Sequence, residues 1–112
     1  MPFYKLDDLP TEWLNPKYST GTGPNITGAQ IEVGRRSYPA GTGAKPHAHS
    51  NEQICLVLAG KARLRIADEE QEVGPGDGWL IPAGTQHELH VIDELKIISV
   101  KNVVDGRGHR LE

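Results

Sequence analysis

The sequence predicts a single all-β domain in the form of a small barrel, and three observations support this prediction. The chain has 112 residues, enough for one domain to bury a core without disulfides. It contains 13 glycines and 8 prolines, a composition that suits many short strands joined by tight turns. Apolar and polar residues alternate over short segments, and no amphipathic segment is long enough for a substantial helix. A helical bundle is therefore excluded.

The charge and the cysteine content narrow the possible functions. Twelve basic and fifteen acidic residues give a formal net charge of -3, and basic residues form no extended run, so nucleic acid is not an expected partner. The single cysteine, Cys55, cannot form an intramolecular disulfide, which is typical of a reducing compartment. Residues 1–16 do not resemble an export signal, and no apolar segment has the length needed to cross a bilayer. We therefore expect a cytoplasmic protein with no membrane partner.

The chain divides into an N-terminal arm at residues 1–25, a barrel at residues 26–104 and a polar tail at residues 105–112. The arm mixes short apolar groups with turn formers and is expected to pack along the barrel. The barrel begins where Ile31 and Val33 alternate with polar neighbours, the pattern of a half-buried strand. The tail is expected to be mobile.

The remaining strands are short and separated by turn residues. The segment QICLVLA at residues 53–59 has apolar residues at both odd and even positions. It therefore predicts a strand buried on both faces. Residues 61–66 alternate between basic and apolar side chains, so a hairpin around Gly60 is the expected connection. Polar turns at 68–71 and 74–78 precede three further strands, with sequences WLIP, ELHVI and LKIISVKNV.

Three histidines and one glutamine have the spacing of a metal site. His47 and His49 lie two residues apart, so in a strand both side chains point to the same face. Gln53 shares their parity whereas Glu52 does not, which favours Gln53 as the next ligand and directs Glu52 outward. His87 follows a Pro-Ala-Gly turn and supplies a ligand from a second strand. These residues predict one metal ion bound by His47, His49, Gln53 and His87.

The predicted ligands do not select one metal. Imidazole nitrogen suits Zn, Fe, Ni, Mn and Cu alike, so the expected cofactor is one divalent transition metal ion of unspecified identity. A neutral glutamine leaves the full charge of the ion in place, whereas a glutamate would cancel one unit and support higher oxidation states. The amide therefore favours Lewis-acid chemistry. The alternative, in which Gln53 is an ordinary buried amide beside a three-histidine centre, stays open.

Residues 41–91 resemble the two motifs of the cupin superfamily, G-x5-H-x-H-x3,4-E-x6-G and G-x5-P-x-G-x2-H-x3-N. Gln53 stands where the family has glutamate, and Val91 stands where it has asparagine. The resemblance implies a small single-domain cupin, a double-stranded β-helix or jelly-roll barrel, and a homodimer. The positions that match the motifs are Gly41, His47, His49, Gly60, Gly76, Pro82, Gly84 and His87.

The resemblance leaves the reaction undetermined, because one fold supports many activities. The segment HAHSNEQI is similar to cupins that accept glutamine as a ligand, including a group that linearises unsaturated uronates. We expect a metal-dependent enzyme that acts on a small oxygenated metabolite, such as a sugar acid or a polyketide-like compound. The expected step is an isomerisation, a cyclisation or a lyase reaction. An iron-dependent dioxygenase and a non-catalytic small-molecule-binding cupin are the alternatives.

Three further side chains are candidates for the cavity. Arg36 and Tyr38 precede the first motif and could orient an anionic or hydroxylated substrate, although a surface position is equally compatible with their sequence context. Cys55 shares parity with Gln53 and should point into the barrel, where a packing role is favoured over a reactive thiol.

The other histidines and the acidic residues beside the ligands receive no chemical role. His90 has the wrong parity relative to His87, and His109 falls in the predicted tail. Glu52 and Glu88 should lie on the outward face, which argues against either as a general base. No catalytic residue is assigned.

Overall fold

The structure, a computed structural model, describes residues 2–109 and confirms the all-β prediction for them. A short 3-10 helix at Leu6–Asp8 precedes seven antiparallel strands that form the double-stranded β-helix barrel. The strands are β1 (Asn25–Thr27), β2 (Ile31–Tyr38), β3 (Gly43–His47), β4 (Gln53–Ile66), β5 (Glu69–Val73), β6 (Gly78–Ile81) and β7 (His87–Asn102).

The longest strand, β7, organises the barrel. Its first part pairs with β3 and with the second half of β4, whereas its second part pairs with β2 and with the first half of β4. The sheet order is β1-β2-β7-β4-β5, with β3 added to β7 and β6 added to β4. The segments ELHVI and LKIISVKNV, which the sequence predicts as separate strands, are parts of this one strand. Odd-numbered side chains point inward at both ends of β7, and the alternation is interrupted at residues 92–94, which are all exposed.

The hairpin predicted around Gly60 is wrong, because β4 runs through Gly60 without reversing. This glycine has a φ of 95°, and register shifts flank it between Val57 and Ala62. A Cβ atom here would lie 2.1 Å from the carbonyl oxygen of Glu94, so only glycine permits the close approach of β7. The chain reverses instead after Ile66, between β4 and β5.

The prediction that QICLVLA is buried on both faces is also wrong. Val57 is 4% exposed inside the barrel, but Ile54, Leu56 and Leu58 are 43%, 53% and 52% exposed on the outside. Burial alternates with a period of two from residue 53 to residue 58, and the inward positions change from odd to even numbers across Gly60. Its outward positions are apolar even though they face away from the core.

The N-terminal arm packs along the barrel as predicted. Within residues 2–24, isolated bridges join Thr22 to Ser37 of β2 and Ser19 to Ala44 of β3. The indole nitrogen of Trp13 donates a hydrogen bond of 2.7 Å to the Ser19 carbonyl oxygen, which helps to hold the turn within the arm. The arm consequently covers one edge of the barrel beside β2 and β3.

The segment after β7 also returns to the barrel. The side-chain amide of Asn51 donates hydrogen bonds to the carbonyl oxygens of Asn102 and Arg107. His109 is 5% exposed, so the prediction of a mobile tail is wrong at this residue. The rest of that prediction, residues 110–112, lies outside the described residues.

The barrel interior has two parts of opposite character. The apolar half is a continuous hydrophobic cluster, and the polar half is a set of buried polar and charged side chains near one cavity. No helix among the described residues is long and apolar enough to cross a membrane. The apolar half consists of Tyr38, Cys55, Val57, Ala62, Leu64, Val73, Leu89, Val91, Leu95 and Ile97. The polar half consists of Glu32, Arg36, His47, His49, Gln53, His87, Ser99, Lys101 and His109.

Candidate metal centre

Three histidines meet in the polar half. His47 ends β3, His87 begins β7 directly opposite it, and His49 follows β3 in the loop that leads to β4. One ring nitrogen from each residue lies within 4.8 Å of the other two. The ring centroids of His47 and His87 are 4.4 Å apart, and those of His49 and His87 are 4.9 Å apart. The predicted His47, His49 and His87 group is therefore assembled at the spacing of a metal site.

The backbone fixes the tautomer of each ring. Nδ1 of His47 lies 2.7 Å from the Lys45 carbonyl oxygen, and Nδ1 of His87 lies 2.9 Å from that of Thr85. Nδ1 of His49 contacts the Asn51 carbonyl oxygen at 3.0 Å in the same way. A carbonyl oxygen can only accept, so each Nδ1 carries the hydrogen and each Nε2 presents a lone pair. This is the arrangement that orients imidazole toward a metal.

Burial keeps these imidazoles neutral. It lowers the pKa of His49 to about 4, with the positive charge of Lys101 as the next contribution. It likewise lowers the pKa of His87 to about 4, and the pKa of His47 is also lowered. At neutral pH the three rings are therefore available as ligands without first losing a proton.

Gln53 turns its carbonyl oxygen toward the histidines. Its Oε1 lies 3.1 Å from Nε2 of His49, while its Nε2 donates to Ser99 Oγ at 2.8 Å and approaches Cys55 Sγ at 3.5 Å. Because His49 carries its hydrogen on Nδ1, the first contact brings together two acceptors. A cation located between them would satisfy both lone pairs, so the donor set fits a transition metal ion.

Parity correctly separates Gln53 from Glu52. Gln53 is half-buried and faces the cavity, whereas Glu52 is exposed. His90, which also has the wrong parity, is exposed on the outer face. Glu88 is only half-buried and is not among the residues around the histidines.

A chain of buried hydrogen bonds continues from Gln53. Ser99 Oγ, which accepts from the Gln53 amide, lies 2.8 Å from His109 Nε2, and His109 Nδ1 lies 2.5 Å from Glu32 Oε1. An ionised carboxylate only accepts, so Nδ1 of His109 donates to Glu32 and Nε2 accepts from the Ser99 hydroxyl. We call Gln53, Ser99, His109 and Glu32 the buried chain. It holds the amide nitrogen of Gln53 away from the histidines.

The charge states within the buried chain follow from its contacts. Burial raises the pKa of Glu32, but hydrogen bonds from His109 and Thr27 outweigh this effect and leave that pKa below its usual value. Burial lowers the pKa of His109 more than the hydrogen bond to Glu32 raises it. The pair is therefore an ionised carboxylate and a neutral imidazole at neutral pH.

The three predicted cavity residues have different surroundings. Arg36 and Tyr38 line the cavity, but the Arg36 guanidinium already donates to Asn25 Oδ1 and to the Pro24 carbonyl oxygen. Burial raises the pKa of Tyr38, so its hydroxyl stays protonated. Cys55 is 1% exposed, and burial raises the pKa of its thiol to about 11, which agrees with a packing role.

Sequence reasoning missed four residues of the polar half: Glu32, Ser99, Lys101 and His109. The alternation along β2 suggested that Ile31 faces the core, but Ile31 is 57% exposed and Glu32 is 2% exposed. Ser99 and Lys101 have the same parity as His87 on the continuous strand β7. A prediction of one long strand, instead of two short ones, would therefore have placed both side chains on the inward face. His109 has no such signal, because it reaches the interior through an irregular segment. The cavity that Ser99, Lys101 and His109 share with His47 and His87 has a volume of about 70 Å³.

The chain belongs to the cupin domain family, whose sequence profile matches residues 34–101. An uncharacterised protein of Streptomyces coelicolor is 30% identical over 71 residues, which cover 62% of this chain and 68% of that protein. Acireductone dioxygenase of Exiguobacterium sibiricum is 26% identical over 69 residues, which cover 57% of this chain and 38% of that enzyme.

Solved structures share the fold over nearly the whole chain. An RmlC-like cupin from Shewanella frigidimarina has a TM-score of 0.82 at 13% identity, covering 94% of this chain and 93% of that one. KdgF from Halomonas sp. has a TM-score of 0.78 at 17% identity, covering 91% and 93% respectively. At these identities the likeness establishes the small cupin barrel and leaves the reaction open.

Proposed function

We propose that His47, His49, Gln53 and His87 bind one divalent transition metal ion. The observation that carries this proposal is the 3.1 Å contact between His49 Nε2 and Gln53 Oε1, two acceptors with no hydrogen between them in the neutral tautomer. The Nε2 lone pairs of His47 and His87 face the same region. Gln53 would serve as a ligand through Oε1 while the buried chain holds its amide nitrogen.

The function that this centre supports best is Lewis-acid catalysis on a small oxygenated metabolite. Once bound, the ion supplies polarisation of a carbonyl or hydroxyl oxygen, which assists isomerisation, cyclisation or elimination. The neutral Gln53 leaves the charge of the ion uncompensated. Tyr38 and Arg36 border the cavity and shape the space in which the substrate would be oriented.

Metal content tests the proposal directly. Tag-free wild-type protein is expected to contain close to one transition metal ion per chain by elemental analysis. His49→Ala and His87→Ala should each lose the ion, whereas His90→Ala, which removes an exposed histidine of β7, should keep it. Full metal occupancy in both ligand variants would refute the site.

An iron-dependent dioxygenase is the second candidate, because acireductone dioxygenase is among the relatives that match this chain. Oxygen uptake separates the two functions. Protein loaded anaerobically with ferrous iron would consume oxygen with diketone or catechol-like compounds if it were a dioxygenase. The Lewis-acid proposal expects substrate conversion with no oxygen consumption.

We also propose that the protein forms a homodimer through the outer face of its sheet. Val33, Val100 and Ile54 are cross-strand neighbours on β2, β7 and β4, and Leu80 of β6 continues this row beside Ile54. Leu56 adds to it from the same face of β4. These residues form the outer patch. A second copy is the proposed occupant because a continuous apolar row is self-complementary across a two-fold axis.

Sedimentation velocity tests the dimer. The wild-type protein is expected to sediment as a dimer and Leu56→Glu as a monomer with unchanged metal content. Ile92→Glu is the matched control, because Ile92 is 45% exposed but lies outside the outer patch. A monomeric wild-type protein would refute this interface.

We also propose that the protein functions in the cytoplasm, and the buried, protonated Cys55 supports this proposal.

A further inference from the structure

Lys101 is a largely buried cation that forms no ion pair within residues 2–109. Its side chain lines the cavity near the end of β7, directly opposite Gln53, and the residue is 5% exposed. Among the described residues it makes no ion pair and no side-chain hydrogen bond. No fully buried side-chain nitrogen of the described residues lacks a hydrogen-bond partner, so the ammonium of Lys101 opens onto the cavity, where an anionic ligand would pair with it.

The neighbouring acidic groups do not fill this role. Glu32 lies opposite Lys101 in the β2–β7 register, but the backbone nitrogen and Nδ1 of His109 both donate to its Oε1. Its Oε2 accepts from the Thr27 hydroxyl at 2.5 Å. The sulfur atom of Cys55 contacts the side-chain amide nitrogen of Gln53 at 3.5 Å. The charge of Glu32 is therefore felt by Lys101 only at a distance, and no carboxylate of residues 2–109 forms an ion pair with its ammonium.

The cavity as a whole favours negative charge. Its described lining contains two cations, Arg36 and Lys101, and no carboxylate. Arg36 is engaged by Asn25 and Pro24, so Lys101 is the cation left for a ligand. The divalent ion proposed at the histidines would add positive charge that neutral Gln53 does not offset. A neutral polyol would leave Lys101 unpaired, and a cationic ligand would be repelled.

We propose that the ligand of this cavity carries a carboxylate that pairs with the Lys101 ammonium while its other oxygen atoms face the histidines. This inference rests on the metal centre of the proposed function and narrows the substrate class to small hydroxy or keto acids. Lys101 thereby becomes a specificity-determining residue. A carboxylate is favoured over a phosphate because one ammonium and a small cavity of about 70 Å³ face the group.

Calorimetric titration of the zinc-loaded protein tests the inference with matched probes. Lactate and lactamide have the same shape but differ in charge, and glycolate, pyruvate and inorganic phosphate extend the series. Lys101→Met removes the charge while keeping an unbranched side chain, and Lys101→Arg retains the charge. Lys96→Met is the control, because Lys96 is an exposed lysine of the same strand. Zinc content and melting temperature are measured for every variant.

We expect Lys101→Met to weaken lactate binding roughly tenfold to a hundredfold, the usual effect of losing a charge-assisted hydrogen bond. Lactamide binding should not change, Lys101→Arg should recover part of the lactate affinity, and Lys96→Met should behave as wild type. Equal loss for lactate and lactamide would overturn the inference, as would unchanged lactate binding in folded Lys101→Met or no binding of any carboxylate to the wild type. Tighter binding of phosphate than of every carboxylate would overturn the choice of carboxylate.

The two proposals fail in different ways. If the wild-type protein does not retain stoichiometric zinc, the metal centre itself is refuted. If zinc is retained in the wild type and in Lys101→Met but lactate affinity is the same in both, the metal centre stands and only the role of Lys101 is refuted.

Discussion

The two halves of the barrel interior are built from the same strands but perform different tasks. On β7, Leu95 and Ile97 are 0% and 2% exposed in the apolar half, and Ser99 and Lys101 on the same face enter the polar half. Apolar side chains stabilise the fold by leaving water, whereas buried polar groups need a specific partner for each donor and charge. The apolar half therefore tolerates small shifts in side-chain position better than the polar half does.

The stability of the apolar half gives the largest expected effect. Leu95→Ala should reduce the free energy of unfolding by about 2–5 kcal/mol, since it leaves a cavity at a fully buried position. Ile92→Ala, on the exposed side of the same strand, should cost under about 1 kcal/mol. Urea denaturation measures both values. Loss of metal from a folded Leu95→Ala protein would contradict our expectation that a change in the apolar half leaves metal binding in the polar half intact.

Gln53 tests the precision of the polar half. Gln53→Ala should weaken metal binding by about tenfold or more, because a ligand oxygen is removed, with little change in the cooperativity of unfolding. Competition with a chelator measures the affinity. Glu52→Ala is the adjacent control and should bind metal as the wild type does, because Glu52 is exposed. If Gln53→Ala binds the metal as tightly as the wild type does, only the three histidines bind the metal and Gln53 is a structural amide.

Ser99 tests whether the buried chain positions Gln53. Ser99→Ala removes the acceptor of the Gln53 amide and the donor to His109, so metal affinity should fall by several-fold, about 1 kcal/mol. The same chelator competition applies, with Ser37→Ala of β2 as the control. A metal affinity equal to that of the wild type would show that the amide keeps its orientation without the chain.

The smallest expected effect is the pH dependence contributed by His109. Burial lowers its pKa from the ordinary value of 6.5, so the unfolded chain binds a proton first as the pH falls. Stability contributed by the neutral imidazole is therefore present above about pH 6.5 and is lost as the pH falls toward the folded pKa. Glu32, whose pKa is lowered from 4.5, adds a loss in the same direction only at lower pH.

Melting temperatures of metal-free protein between pH 7.5 and 4.5 measure this slope. His109→Gln should melt with a shallower pH dependence than the wild type, and His90→Gln, at an exposed position, should keep the wild-type slope. An identical slope in His109→Gln would mean that other buried histidines account for the whole effect.

Much of the candidate site was accessible from the sequence because its proposed ligands occur within short segments. The spacing of His47 and His49 and the parity that separates Gln53 from Glu52 are local properties, and period-two geometry converts them directly into side-chain directions. The same local reasoning failed at Gly60, where a glycine typical of a hairpin is required instead by the close approach of β7. It also failed at Leu56, because alternating burial cannot be read from a run that is apolar at every position.

By itself, the sequence determined the all-β class, the barrel family and the set of candidate ligands, because these depend on periodicity, turn residues and motif spacing. Only the tertiary structure decided which polar residues join those ligands. Ser99 and Lys101 face the cavity because β7 is one continuous strand, and His109 reaches Glu32 across a sequence separation of 77 residues. Such contacts are set by the path of the chain in space, and no local pattern encodes them.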